Sequence, residues 1–160
     1  MSYTSRIDLS DHVRKEACAL LQARLSDALD LEAQAKQAHW NVKGPHFLQL
    51  HELFDRLHDE IEQFVDQLAE RITALGHVAD GRIATTAAAT TLYGYPLEAT
   101  GGEAHLKAIS ANLGAFGKAV REAIDRAGMT GDADTADLFT QISRECDKQL
   151  WFLEAHLQAH

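Results

Sequence analysis

A chain of 160 residues is long enough for one domain, 1–160, with a sizeable core. Its 24 Asp+Glu against 15 Lys+Arg give −9, which argues against a generally basic nucleic-acid surface and favours cations over phosphates as partners. Cys18 and Cys146 lie inside apolar helical patterns and read as reduced thiols packing as small hydrophobes, which makes a disulfide scaffold improbable. The start, MSYTSRIDLSDHV, carries no apolar core of signal-peptide length, and no run is long enough for a bilayer; a soluble, cytoplasmic protein without membrane contact is expected.

After a short tail, about residues 1–9, the apolar period predicts a first helix from near Ser10-Asp11 to His39-Trp40, carrying Val13, Ala17, Leu20, Leu21, Leu25, Ala28, Leu31 and Ala35. NVKGP, 41–45, breaks it. A second helix carries Leu50, Leu53, Phe54, Leu57, Ile61, Phe64, Leu68, Ile72 and Leu75 at three- and four-residue steps up to Gly76. A third, from Leu106 to Ile124, closes at Gly128, and a fourth runs from Leu138 to Leu157. Nothing alternates like a strand. The tight turn after the first helix and the GMTGDAD stretch after the third make each pair antiparallel. Residues 76–101, with four-glycine and proline punctuation, are long enough at up to ~3.3 Å per residue to run the bundle's ~40 Å length. The fold expected is all-α, a ferritin-like four-helix bundle with one long crossover between helices two and three, in which ATTAAATTL has the length for a short extra helix.

The second helix carries two doublets at i,i+4 spacing, His51/Asp55 and Asp66/Glu70, with His39 twelve residues before the first. Each doublet sets two metal-capable side chains on neighbouring turns of one face. The fifteen residues from His51 to Asp66 correspond to roughly 22 Å of helix, too far for one ion. Either the doublets are unrelated, or two antiparallel copies bring one subunit's His51/Asp55 to the other's Asp66/Glu70. Carboxylates on an amphipathic helix usually mark a solvated face. Here, however, His51, Asp55, His58, Glu62 and Asp66 share roughly an 80° sector without Lys or Arg. A di-iron centre inside the bundle needs Glu-x-x-His pairs. The chain has none, the nearest being Asp55-x-x-His58.

The stretch HWNVKGPHFLQLHELFDRLHDEIEQFVDQLAERI, residues 39–72, resembles the signature of the Dps family, the mini-ferritins that protect DNA in starved cells, and the WFLEAHL near the C-terminus extends the likeness over nearly the whole chain. The resemblance implies a hollow dodecamer that oxidises Fe(II), typically with hydrogen peroxide, and stores ferric mineral, so protecting against oxidative damage. It assigns His39, His51 and Asp55 of one subunit and Asp66 and Glu70 of its two-fold partner as catalytic iron ligands, a set that zinc is also able to occupy. Imidazole and carboxylate suit non-haem iron and leave open positions for oxidant. The resemblance also offers Trp40 as a donor for a stray oxidising equivalent, with interface packing as its main role, and Asp132, Asp134 and Asp137 as an acidic pore admitting Fe(II). First-turn acids that complement a helix dipole explain those aspartates equally well. His46, His58, His77 and Glu62 match no motif position and read as surface or supporting residues. Gly114 and Gly117 imply close packing of the third helix against another helix or subunit.

The alternative is a DNA-binding, nucleoid-compacting protein with iron oxidation secondary. Relatives that bind DNA tightly often carry a Lys-rich terminal extension acting through phosphate contacts. Before Ser10 the only basic residue here is Arg6, LEAHLQAH at the C-terminus has no Lys or Arg, and twelve copies at −9 carry −108. Direct DNA binding is expected to be weak or absent. A purely structural helical oligomer leaves the five-residue spacing unexplained.

Overall fold

The computed structural model describes residues 3–158. Five helices follow in order: α1 Asp11–Asn41, α2 Phe47–Ala74, α3 Ile83–Ala89, α4 Gly102–Thr130 and α5 Ala133–Ala155. No β-strand occurs among the described residues; one isolated parallel bridge joins Lys43 to Gly101. The four long helices enclose one core in which Phe54, Phe116, Phe139, Ile61, Leu68 and Ile109 are fully buried, and α1 packs chiefly on α2, as α4 does on α5. This is the ferritin-like bundle expected from the periodicity.

Local chemistry sets the boundaries. The Ser10 hydroxyl accepts from the Val13 amide at 3.3 Å and opens α1. Gly44, at φ +114°, turns the chain from α1 into α2, and Gly76, at φ +86°, ends the turn after α2. At Gly76 a Cβ would lie 2.6 Å from the Tyr3 carbonyl oxygen, because the Tyr3 amide donates to the Gly76 carbonyl there. The third predicted helix does not close at Gly128. Its helix, α4, continues to Thr130, and Gly131, at φ +93°, is the left-handed cap. Leu157 falls just beyond α5 instead of within it. Gly117 does face α5, where a Cβ would meet the Cys146 Cβ at 3.6 Å.

The crossover, with α3 in its middle, is strapped to the bundle by polar side chains. Gln22 brackets the Asp80 backbone, accepting from its amide at 2.9 Å and donating to its carbonyl at 3.0 Å. Buried Asp27 accepts from the Thr91 amide at 2.7 Å. Asn112 accepts from the Tyr93 amide at 2.7 Å and, with Gln34, donates to its carbonyl at 3.0 and 3.1 Å. These bonds satisfy backbone groups that no helix serves. Cys18 and Cys146 are free and buried, and burial pushes their thiols up to about 11 and about 12. None of the helices is long and apolar enough to cross a membrane.

Candidate metal centre

Because α1 and α2 are antiparallel across a short turn, the last turn of α1 lies beside the second turn of α2. His39 and His51 meet there with ring centroids 3.7 Å apart and planes 21° from parallel. The two rings are clasped reciprocally: His39 Nδ1 lies 2.8 Å from the His51 carbonyl oxygen, and His51 Nδ1 lies 2.8 Å from the His39 carbonyl oxygen. A carbonyl only accepts, so each Nδ1 donates, and each Nε2 keeps its lone pair for a cation. This is how metal-binding imidazoles are ordinarily held, with the non-ligating nitrogen fixed by a hydrogen bond.

Asp55, one turn beyond His51, lies beside the pair, with Oδ1 3.7 Å from His39 Nδ1, the nitrogen turned to the backbone. Its carboxylate pairs with the Lys36 ammonium, which holds it below the ordinary carboxylate range, with His39 adding in the same direction. The sequence reading passed over Lys36. It stands three residues before His39 on the same helix and carries the one positive charge paired with the cluster.

The fold therefore brings His39, His51 and Asp55 together. It does not bring Asp66 and Glu70 to them within one chain: both lie farther along the same straight helix, exposed, with no ion-pair partner among the described residues. Trp40 is 68% exposed and points away from the core. Asp132 is 1% exposed. It caps α5 by accepting from the Thr135 amide at 3.0 Å and hydroxyl at 2.6 Å, and it pairs with Arg71 at 2.8 Å. Those bonds occupy both its oxygens, whereas Asp134 and Asp137 are exposed.

With this geometry in place, comparison with known proteins is informative. The ferritin-like domain model matches residues 18–159. The DNA protection during starvation protein of Agrobacterium fabrum is 38% identical over 157 residues, covering 98% of this chain and 97% of that protein. Among solved structures, Dps from Mycobacterium smegmatis is similar at TM-score 0.93 and 31% identity, covering 99% of this chain and 96% of that one. DpsC from Streptomyces coelicolor is similar at TM-score 0.95 and 28% identity, covering 100% and 94%. The domain match, the full-length similarity and the shared fold agree, and the chain belongs to the Dps group of the ferritin-like family.

Proposed function

We propose that this protein is a ferroxidase which oxidises Fe(II) with hydrogen peroxide at a site shared between two subunits and stores the ferric product inside a hollow dodecamer in the cytoplasm. The observation that carries this reading is the clasped His39/His51 pair beside Asp55, an incomplete ligand set whose complement, Asp66/Glu70, is exposed on the same helix. An antiparallel α2 pair whose register sets Glu70 opposite His51 also sets Asp66 opposite Asp55. One register thus completes two equivalent sites.

Two imidazole nitrogens and three carboxylates suit Fe(II), which is here the substrate, and zinc competes for the same ligands without redox chemistry. Two Fe(II) ions each give one electron to peroxide; with two protons its O–O bond breaks and two waters form, so no hydroxyl radical is released. Asp55 begins the cycle as the carboxylate paired with Lys36 and exchanges that cation for the metal. Trp40 packs at the subunit interface and stands beside His39 to absorb a stray oxidising equivalent. Asp134 and Asp137 form the acidic approach for Fe(II), and Asp132 anchors the helix behind them. DNA is protected by removal of iron and peroxide, since a chain at −9 lacks the basic surface for phosphate contacts.

Mixed cages test this reading. His51→Ala and Asp66→Ala are each expected to abolish rapid peroxide-driven Fe(II) oxidation while the cage stays assembled. In cages reassembled from both variants, an interface with one chain of each kind has one site lacking both ligands and one that is intact. Partial activity should return in proportion to such interfaces. Mixed cages proven to form yet as inactive as their parents would show that these residues do not meet.

A further inference from the structure

Between the two doublets α2 carries a second set of donor groups. His58, Asp59 and Glu62 each offer a ligand atom, and these atoms lie within 4.8 Å of one another. Asp59 and Glu62 have no ion-pair partner among the described residues, so no Lys or Arg neutralises them there. His58 is turned the same way as His39 and His51 but held more loosely. Its side chain is 17% exposed, and its Nδ1 faces the Glu32 carbonyl oxygen of α1 at 3.4 Å and the Glu32 carboxylate at 3.8 Å. A ring held from Nδ1 presents the Nε2 lone pair outward. His39, His51 and His58 thus each turn Nδ1 to a backbone carbonyl across the helix pair.

Position adds meaning to the chemistry. In the register that completes both oxidation sites, the two-fold axis crosses α2 at the level between Glu60 and Ile61. His58, Asp59 and Glu62 flank that level, and the same register sets Asp59 of one chain level with position 62 of the other. At ~1.5 Å per residue the cluster lies roughly 10 Å along the helix from the centre of its own His51/Asp55 doublet. At 100° per residue, Glu62 lies inside the sector spanned by His51, Asp55 and Asp66, and His58 lies about 20° beyond its edge.

We propose that His58, Asp59 and Glu62 bind one divalent transition-metal ion per chain at the middle of the paired α2 helices, a holding site between the two oxidation sites. The ligands come from one chain; the location at the two-fold rests on the proposed α2 pairing. One imidazole with two carboxylates selects borderline cations such as Fe(II), Co(II) or Zn(II) over Mg(II), which prefers oxygen and water, and over Cu(I), which prefers sulfur. Fe(II) held here stands within about two helical turns of the ligands that would hold it for oxidation by peroxide.

Co(II) is the probe, counted by equilibrium dialysis and metal analysis on the assembled protein. In a His51→Ala/Asp55→Ala background, which strips the oxidation site, about one Co(II) per chain more should be retained than after the further substitution His58→Ala. His12→Ala, at the exposed start of α1 and remote from the cluster, should leave the count unchanged. An identical Co(II) count with and without His58, or no retained Co(II) in the stripped background, would overturn the proposal. The two readings fail separately. A His58-dependent count without rescue in mixed cages removes the α2 pairing, and with it the two-fold location; rescue without a His58-dependent count removes the holding site and leaves the oxidation site standing.

Discussion

Lys36 is the residue whose role only tertiary structure reveals. On α1 it reads as one more solvated lysine, and nothing local distinguishes it from Lys15. Antiparallel packing of α1 on α2 sets it against Asp55, nineteen positions away. Its ammonium sits on one oxygen of a carboxylate that the proposed site would use, so a cation loading that site competes with it. Asp55 is 43% exposed, and solvent screening keeps the effect modest. Lys36→Ala is therefore expected to raise Zn(II) affinity by up to about tenfold, the lower end of effects seen on altering groups that support a metal ligand. Competition titration of the assembled protein against a chromophoric chelator reads the change. Unchanged or weaker binding would mean that Asp55 is no ligand or that Lys36 is no competitor.

At the scale of elements, much was legible because apolar spacing and caps leave local signals. Ser10, Gly76 and the periodic stripe of α2 each mark what the structure contains, and α3 forms where ATTAAATTL pointed despite its threonines. The end of α4 was misplaced for a physical reason. Glycine inside a helix costs about 1 kcal/mol, which tertiary packing of the helix outweighs; the left-handed cap falls three residues later at Gly131. The straps on the crossover left no signal, since Gln22, Asp27, Gln34 and Asn112 look like any polar residues on an amphipathic helix until their distant partners arrive. That His39, His51 and Asp55 lie near one another follows from their spacing around the turn, while the anchoring of the two rings through backbone carbonyls left no signal. Asp132 illustrates a local signal with two readings, and its cap is the role visible in one chain. Losing that cap and the buried partner of Arg71, which keeps only exposed Asp134 at 3.9 Å, should lower stability by about 2 kcal/mol in Asp132→Ala. Asp132→Asn, which keeps a capping oxygen, should lose less. Urea unfolding of the two variants compares them; equal losses would remove the capping argument.

For the whole molecule, charge and exposure point to assembly without nucleic acid. Trp40, Ile83, Leu97, Met129 and Trp151 each stand more than half exposed, on different elements of a single chain. Contacts between several copies would cover such dispersed apolar groups, in keeping with a dodecamer. Native mass measurement is expected to give twelve chains, and the same material should not shift duplex DNA in a gel at ~150 mM salt, since phosphate contacts supply most non-specific affinity. Tight DNA complexes at that salt would show that the surface charge is distributed less evenly than −9 per chain suggests. The reciprocal histidine clasp has a further mechanical consequence. With His39 and His51 pinned to each other's backbone, one half of each proposed oxidation site is stiff, and the two-subunit reading puts the other half on a neighbouring chain. A bound ion then acts as a rivet between rigid plates. Because an ion that binds only the joined form stabilises it according to its concentration over its dissociation constant, the shell should resist dissociation most strongly when loaded. Metal supply would then govern the cohesion of the container as well as its contents.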